Sequence, residues 1–121
     1  MAGASFIGTE LRNAEMDESD CRNANFQGAS LILAFIRGSN LQNTDLTSAK
    51  LIGAYLSGTD LSYADLTNAD VSNAVFRGAK LFGANMTCIR LEESYLDGAL
   101  YDATTVWPQD FNPLEYGAIK M

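Results

Sequence analysis

Ala64-Asp65-Leu66-Thr67-Asn68 followed by Ala69-Asp70-Val71-Ser72-Asn73 is one five-residue phrase written twice: small, acidic, aliphatic, hydroxylic, Asn. Stepping by five from Leu66 in both directions extends the aliphatic position to Phe6 and to Val106, and all 21 residues met on the way are apolar or aromatic. At 47% hydrophobic content such a run has a chance probability on the order of 10⁻⁷, so counting alone fixes the period. Two residues before each of these centres stands Ala, Ser or Thr, with Ile89 as the one exception. Two residues after lie Gly8, Gly28, Gly38, Gly53, Gly58, Gly78, Gly83 and Gly98, and asparagines beginning with Asn13 and Asn23.

A period of five matches neither the 3.6 of a helix nor the 2 of a flat strand. It is met if each unit forms one side of a square coil. The centre and the small residue then point inward, and the Gly/Asn position turns a corner with positive φ. Four units make a 20-residue coil, and coils stack at about 4.8 Å through backbone hydrogen bonds. The expectation is an all-β solenoid, a quadrilateral parallel β-helix of about five coils and roughly 25 Å length. Residues 1–106 form the repeat and residues 107–121 a C-terminal capping segment. In that segment Trp107, Phe111, Leu114, Tyr116 and Ile119 leave the pattern. Asn112-Pro113-Leu114-Glu115 reads as an N-cap, Pro at the first helical position and a capping-box Glu, with Gly117 stopping the helix after about one turn. The N-terminal coil has almost no cap, so it either frays or stacks on another molecule.

The run of A-[DN]-L-x-x units, as in Ala64-Asp65-Leu66-Thr67 and Asn68-Ala69-Asp70-Val71, resembles the pentapeptide-repeat family over about 103 of the 121 residues. The resemblance implies a right-handed coil, which the counting does not give. It also implies a non-enzymatic protein. The tail from Thr105 to Pro113 resembles the segment that closes such repeats in bacterial, notably cyanobacterial, members.

Chemistry is hard to place on this chain. With no histidine there is no Ser-His-Asp or Cys-His pair. Asp60, Asp65 and Asp70 recur every five residues and so face different sides. Asp45 and Asp65, 20 apart, are the nearest approach to a carboxylate dyad. They are too few for Ca²⁺, which takes six or more oxygens. No catalytic residue, metal or cofactor is expected, and no phosphate-loop motif is present. Cys21 reads as a core centre and Cys88 as a corner residue. They lie about 16 Å apart along the stack, beyond the roughly 7 Å a disulfide spans.

The net charge of -7 argues against direct nucleic-acid binding. No apolar run reaches the roughly 18 residues of a membrane span, and the first residues lack a secretory pattern; the expected compartment is the cytoplasm. Two surface readings compete. One is an acidic mimic of DNA that inhibits a type II topoisomerase, as some pentapeptide-repeat proteins do. Against it stand axial charge pairs expected for Asp17–Arg37, Arg77–Asp97, Asp60–Lys80 and the ladder Lys50–Asp70–Arg90. The other is a protein-binding or self-associating face. Phe35, Tyr55, Val75 and Tyr95 precede centres and fall in one column, beside Ile32, Leu33 and Ile52. Such an apolar stripe on a polar rod marks an interaction site or a stabilising ladder.

Overall fold

The computed structural model describes residues 1–121. Its backbone follows the five-residue unit. Within Leu46–Lys50, Leu46 N donates to Asp65 O and Ser48 N to Thr67 O on the next coil, while Lys50 N donates to Ala29 O on the preceding one. Ala49 N closes the turn onto Leu46 O. Each side of the coil therefore contributes a single bridge residue between two turns. These residues stack in four ladders: Ser5–Asn25–Asp45–Asp65–Asn85, Glu10–Ser30–Lys50–Asp70, Glu15–Phe35–Tyr55–Val75–Tyr95 and Asp20–Asn40–Asp60–Lys80–Leu100, all parallel.

One amide per unit, that of the residue after the centre, has no backbone partner. The repeat answers this with the Asp or Asn before the centre, whose carboxylate or amide oxygen accepts it. Asp45 Oδ1 takes Thr47 N at 2.9 Å, Asp65 Oδ1 takes Thr67 N at 3.0 Å and Asp70 Oδ1 takes Ser72 N at 3.1 Å. The hydroxyls of Thr47 and Ser72 bind the same oxygens at 2.6 Å. This local bond is the physical reason for the acidic letter of the motif.

The interior is two nested columns. The large one runs from Met16 through Phe26, Leu46 and Leu66 to Leu96, and the small one holds the alanines. Where Ser or Thr replaces Ala, the buried hydroxyl is satisfied by a backbone carbonyl: Ser39 Oγ donates to Met16 O and Thr59 Oγ1 to Ile36 O. The corners carry the positive φ expected of them, at Gly28 (+65°) and equally at Asn23 (+61°).

The register does not run unbroken to Val106. Between Met86 and Ile89 the chain omits the corner residue, so Asp70 bridges Ile89 rather than the residue 20 further on. Cys88 is thus no corner. It takes the inward small-residue place, packed on the core, with Sγ 3.3 Å from Met86 O. Ile89 points outward as a bridge residue, which is why it broke the small-residue column. Arg90, left-handed at φ 60°, restores the lost residue, and the short 3-10 helix Leu91–Glu93 returns the chain to frame by Tyr95. A second change follows. One extra residue after Tyr101 places Thr105 in the small position, with its hydroxyl on Leu81 O. Val106 becomes an exposed bridge residue opposite Asn85, and Trp107 takes the centre that periodicity assigned to Val106.

Beyond it, Tyr101, Trp107, Phe111 and Tyr116 form a chain of ring contacts 4.7–5.6 Å apart. Pro113–Tyr116 is a 3-10 helix capped by Asn112, whose side chain accepts Leu114 N, and ended by Gly117 at φ 83°. The expected capping-box bond from Glu115 is not formed. Strand β2 (Ile119–Lys120) pairs in parallel with β1 (Leu100–Tyr101) and continues that ladder by one rung.

Candidate functional site

Three of the four sides present Asp, Asn, Ser, Glu or Lys at the bridge position through most of the stack. The third does not. From its second rung onward it presents Phe35, Tyr55, Val75 and Tyr95, which the parallel bridges bring into one column. Phe35 and Tyr55 stack face to face with centroids 5.0 Å apart and planes 4° from parallel. Val75 separates Tyr55 from Tyr95, so the second tyrosine has no ring beneath it. Tyr55 is 37% exposed and Tyr95 44%.

The neighbouring corner extends the apolar surface. Ile32 and Ile52 lie on adjacent coils, joined through Leu33 N to Ile52 O. Leu33 holds a left-handed backbone at φ 58° where most corners have Gly or Asn. Its side chain lies over Gly53: a Cβ there would fall 2.8 Å from Leu33 Cδ2. All seven residues expected from the sequence therefore lie on one side and its preceding corner.

Two residues of this side were missed. Arg37 and Arg77, on the opposite edge, place their guanidinium carbons 5.5 Å over the Phe35 ring and 5.3 Å over the Tyr95 ring. The signal was available, because both occupy the position after a centre, two residues beyond Phe35 and Val75. Tyr63, on a different corner, was also overlooked. It is exposed and lies across Gly83.

The aromatic column has a backbone consequence. An apolar residue cannot accept the orphan amide that Asp or Asn accepts elsewhere. Arg37 N is rescued by Asp17 Oδ1 from the coil before, at 2.7 Å. The amides of Ser57, Arg77 and Asp97 have no acceptor in the protein.

The expected charge pairs form only in part. Arg37 binds Asp17 at 2.7 Å and Arg90 binds Asp70 at 2.8 Å. Asp60–Lys80, Arg77–Asp97 and Lys50–Asp70 are not ion pairs. Arg77 prefers the Tyr95 ring, and Asp60 takes Gln42 Nε2 at 2.6 Å together with Ser62 N. A pair within one coil, Arg22–Asp20 at 2.8 Å, went unforeseen. The Arg22 guanidinium, then its amide, pulls the Asp20 carboxyl down to about 2. Arg37 lowers Asp17 in the same way.

Asp45 and Asp65 are adjacent rungs, but each is held by its own threonine, and no three carboxylates or thiols converge as a metal site would require. The concavities are shallow; one, of about 360 Å³, is lined by Glu15, Asp17, Phe35 and Arg37 at the foot of the column. Both cysteines are free, and burial pushes the Cys88 thiol up to about 12. No helix is long and apolar enough to cross a membrane.

Comparison with known proteins agrees with this geometry. The family of pentapeptide repeats matches residues 1–31 and 39–78, in eight copies. A pentapeptide repeat protein, Rfr23, from the cyanobacterium Cyanothece 51142 is 26% identical over 88% of this chain and 89% of its own, with a TM-score of 0.74. QnrB1, a plasmid-mediated fluoroquinolone resistance protein, is 20% identical; the match covers 97% of this chain and 58% of that one, with a TM-score of 0.66, a likeness of fold alone. No curated protein matches. By its repeats and its coil, the chain belongs to the pentapeptide-repeat family.

Proposed function

We propose that this protein is a non-catalytic scaffold whose Phe35–Tyr55–Val75–Tyr95 side, with Ile32, Leu33 and Ile52, docks a protein partner. The rod is read as a right-handed quadrilateral β-helix of about five coils over residues 1–106, closed by residues 107–121. Two free thiols suit a reducing compartment, the cytoplasm.

The observation that carries the reading is the exchange made on three successive rungs of this side, at Tyr55, Val75 and Tyr95. Ser5, Ser30, Lys50 and Lys80 also leave the amide without an acceptor, but with polar side chains and on no more than two rungs in a row. Elsewhere the bridge residue commonly accepts the orphan amide; here that bond, a net contribution of about 1 kcal/mol, is given up on successive rungs for exposed rings. Leu33 adds a second local cost, since a left-handed backbone disfavours a leucine by roughly 1–2 kcal/mol. Local rules broken together in one patch point to function. Stacking of Phe35 on Tyr55 returns part of the loss but ends at Tyr55, since the next rung is Val75.

The acidic DNA-mimic reading is weaker. No column of the rod carries three successive carboxylates, and the two axial pairs that form interrupt the negative surface. A gyrase supercoiling assay at micromolar protein distinguishes the two; inhibition would favour the mimic.

The docking reading is tested with Tyr55→Asp, a change that breaks the stripe while restoring the motif residue. Immobilised native protein and the variant are compared for partners captured from the cell of origin. Loss of a specific partner with the fold retained is expected. An unchanged set of partners would defeat the assignment.

A further inference from the structure

Resting on that docking reading, we infer that the partner is an amphipathic α-helix of about three turns lying along the rod, with a carboxylate on the flank that meets Arg77. The carbonyls of this side's bridge residues are all engaged, and only lone amides such as those of Ser57, Arg77 and Asp97 are left free along its edge. Tyr55 N donates to Ala34 O and Val75 N to Ala54 O, while Tyr55 O accepts Ile36 N, Val75 O accepts Leu56 N and Tyr95 O accepts Phe76 N. No free carbonyl and no strand edge is offered, so an extended peptide would lay its own N–H groups unpaired on an apolar surface. A helix satisfies its backbone internally and brings only side chains.

The dimensions fit. Rungs recur at about 4.8 Å and helical turns at 5.4 Å, so mismatch grows by only about 0.6 Å per turn. The stripe from Phe35 to Tyr95 covers three intervals, about 14 Å, or roughly ten helical residues. Apolar residues at i, i+4 and i+7 would sit between successive rungs.

Charge selects the occupant. Arg37 is already engaged by Asp17, whereas Arg77 stands beside the stripe with no ion pair. Resting only on the Tyr95 ring, it can reach an incoming carboxylate. The same charges oppose a second copy of this chain. A two-fold axis across the rods at Tyr55 sets Arg37 against the other copy's Arg77 and Asp17 against its Asp97. A two-fold axis along the rods sets Asp97 against Glu92 and Glu93.

The probes are three designed helical peptides of about 12 residues, with Leu at i, i+4 and i+7 and Glu, Gln or Lys at one flanking position. Binding to the full chain is read by fluorescence anisotropy. The Glu peptide should bind about fivefold tighter than Gln and about tenfold tighter than Lys at low salt. Arg77→Glu, at an exposed side chain, should reverse the order of Glu and Lys, and Tyr55→Asp should abolish all binding. Equal affinity for the three peptides, removed by Tyr55→Asp, would overturn the carboxylate while leaving the docking face intact. Absence of binding by every peptide would overturn the helix, the docking face then standing on partner capture. A dimer in solution that Tyr55→Asp dissociates would overturn both in favour of self-association.

Discussion

Two substitutions of Tyr55 separate packing from backbone satisfaction. Tyr55→Ala removes the stack on Phe35, about 0.5–1.5 kcal/mol. It also removes the covered part of the ring. Tyr55 is 37% exposed, so about two-thirds of a burial term of 1.5–3 kcal/mol is lost, roughly 1–2 kcal/mol. The total is about 1.5–3.5 kcal/mol. Tyr55→Asp loses the same contacts but rebuilds the sequence Asp-Leu-Ser. Asp70-Val71-Ser72 shows what such a unit does: Oδ1 takes Ser72 N at 3.1 Å and Ser72 Oγ at 2.6 Å. Ser57 stands ready with the same two donors. A hydrogen bond to a charged acceptor contributes about 1.5 kcal/mol at the low end suited to an exposed corner. The aspartate variant should therefore be about 1.5 kcal/mol more stable than the alanine variant, a gap on the order of 5 °C in Tm at pH 7. The gap should close as pH falls below the carboxylate range. Calorimetry of both proteins at pH 7 and pH 2.5 reads it. An aspartate variant that melts at or below the alanine variant at pH 7 would refute the role given to the bridge-position carboxylate.

Three further outcomes are expected. The Asp20 carboxyl, followed by NMR, should titrate near 2 rather than at its ordinary 3.8; its folded value is depressed, so its contribution is present above pH 4 and lost as pH falls toward 2. Arg22→Gln should raise that value only part of the way, because the residue-22 amide still donates. Cys88, raised to about 12 by burial, and Cys21, raised by the same cause, should resist iodoacetamide at pH 8 in the native protein and react once urea unfolds it; rapid native labelling of Cys88 would mean that the segment around Ile89 opens. Leu33→Asn should keep or raise Tm, since relief of a left-handed leucine offsets the lost cover on Gly53, while weakening partner capture; a fall in Tm of several degrees would show Leu33 to be structural.

The five-residue period made the coil legible because inward positions, corner positions and outward positions each carry a separate chemical demand. Phe35, Tyr55, Val75 and Tyr95 could be placed in one column by arithmetic alone. Arithmetic failed where one demand was met by an unexpected residue. Cys88 is small enough to replace alanine at an inward place, so the lost corner left the apolar centres at Met86 and Leu91 apparently in step. Val106 is apolar, as a centre should be, yet one inserted residue gives that place to Trp107. The charge pairs that did not form failed for another reason. Spacing of 20 brings two side chains to adjacent rungs but does not choose between an acid and a ring, and Arg77 turned to Tyr95.

The compensated slip at Met86–Arg90 gives the chain something like a reading frame. A residue dropped at one corner is returned on the next side, and Tyr95 arrives over Val75 as though nothing had happened. An uncompensated insertion of one five-residue unit between Tyr55 and Val75 would leave every centre apolar and every corner filled. It would also rotate all that follows by a quarter turn. Phe35 and Tyr55 would then look out from one wall and Val75 and Tyr95 from the next. The stripe is thus encoded by chain length as much as by its aromatic residues, and relatives that keep it must change length by whole coils.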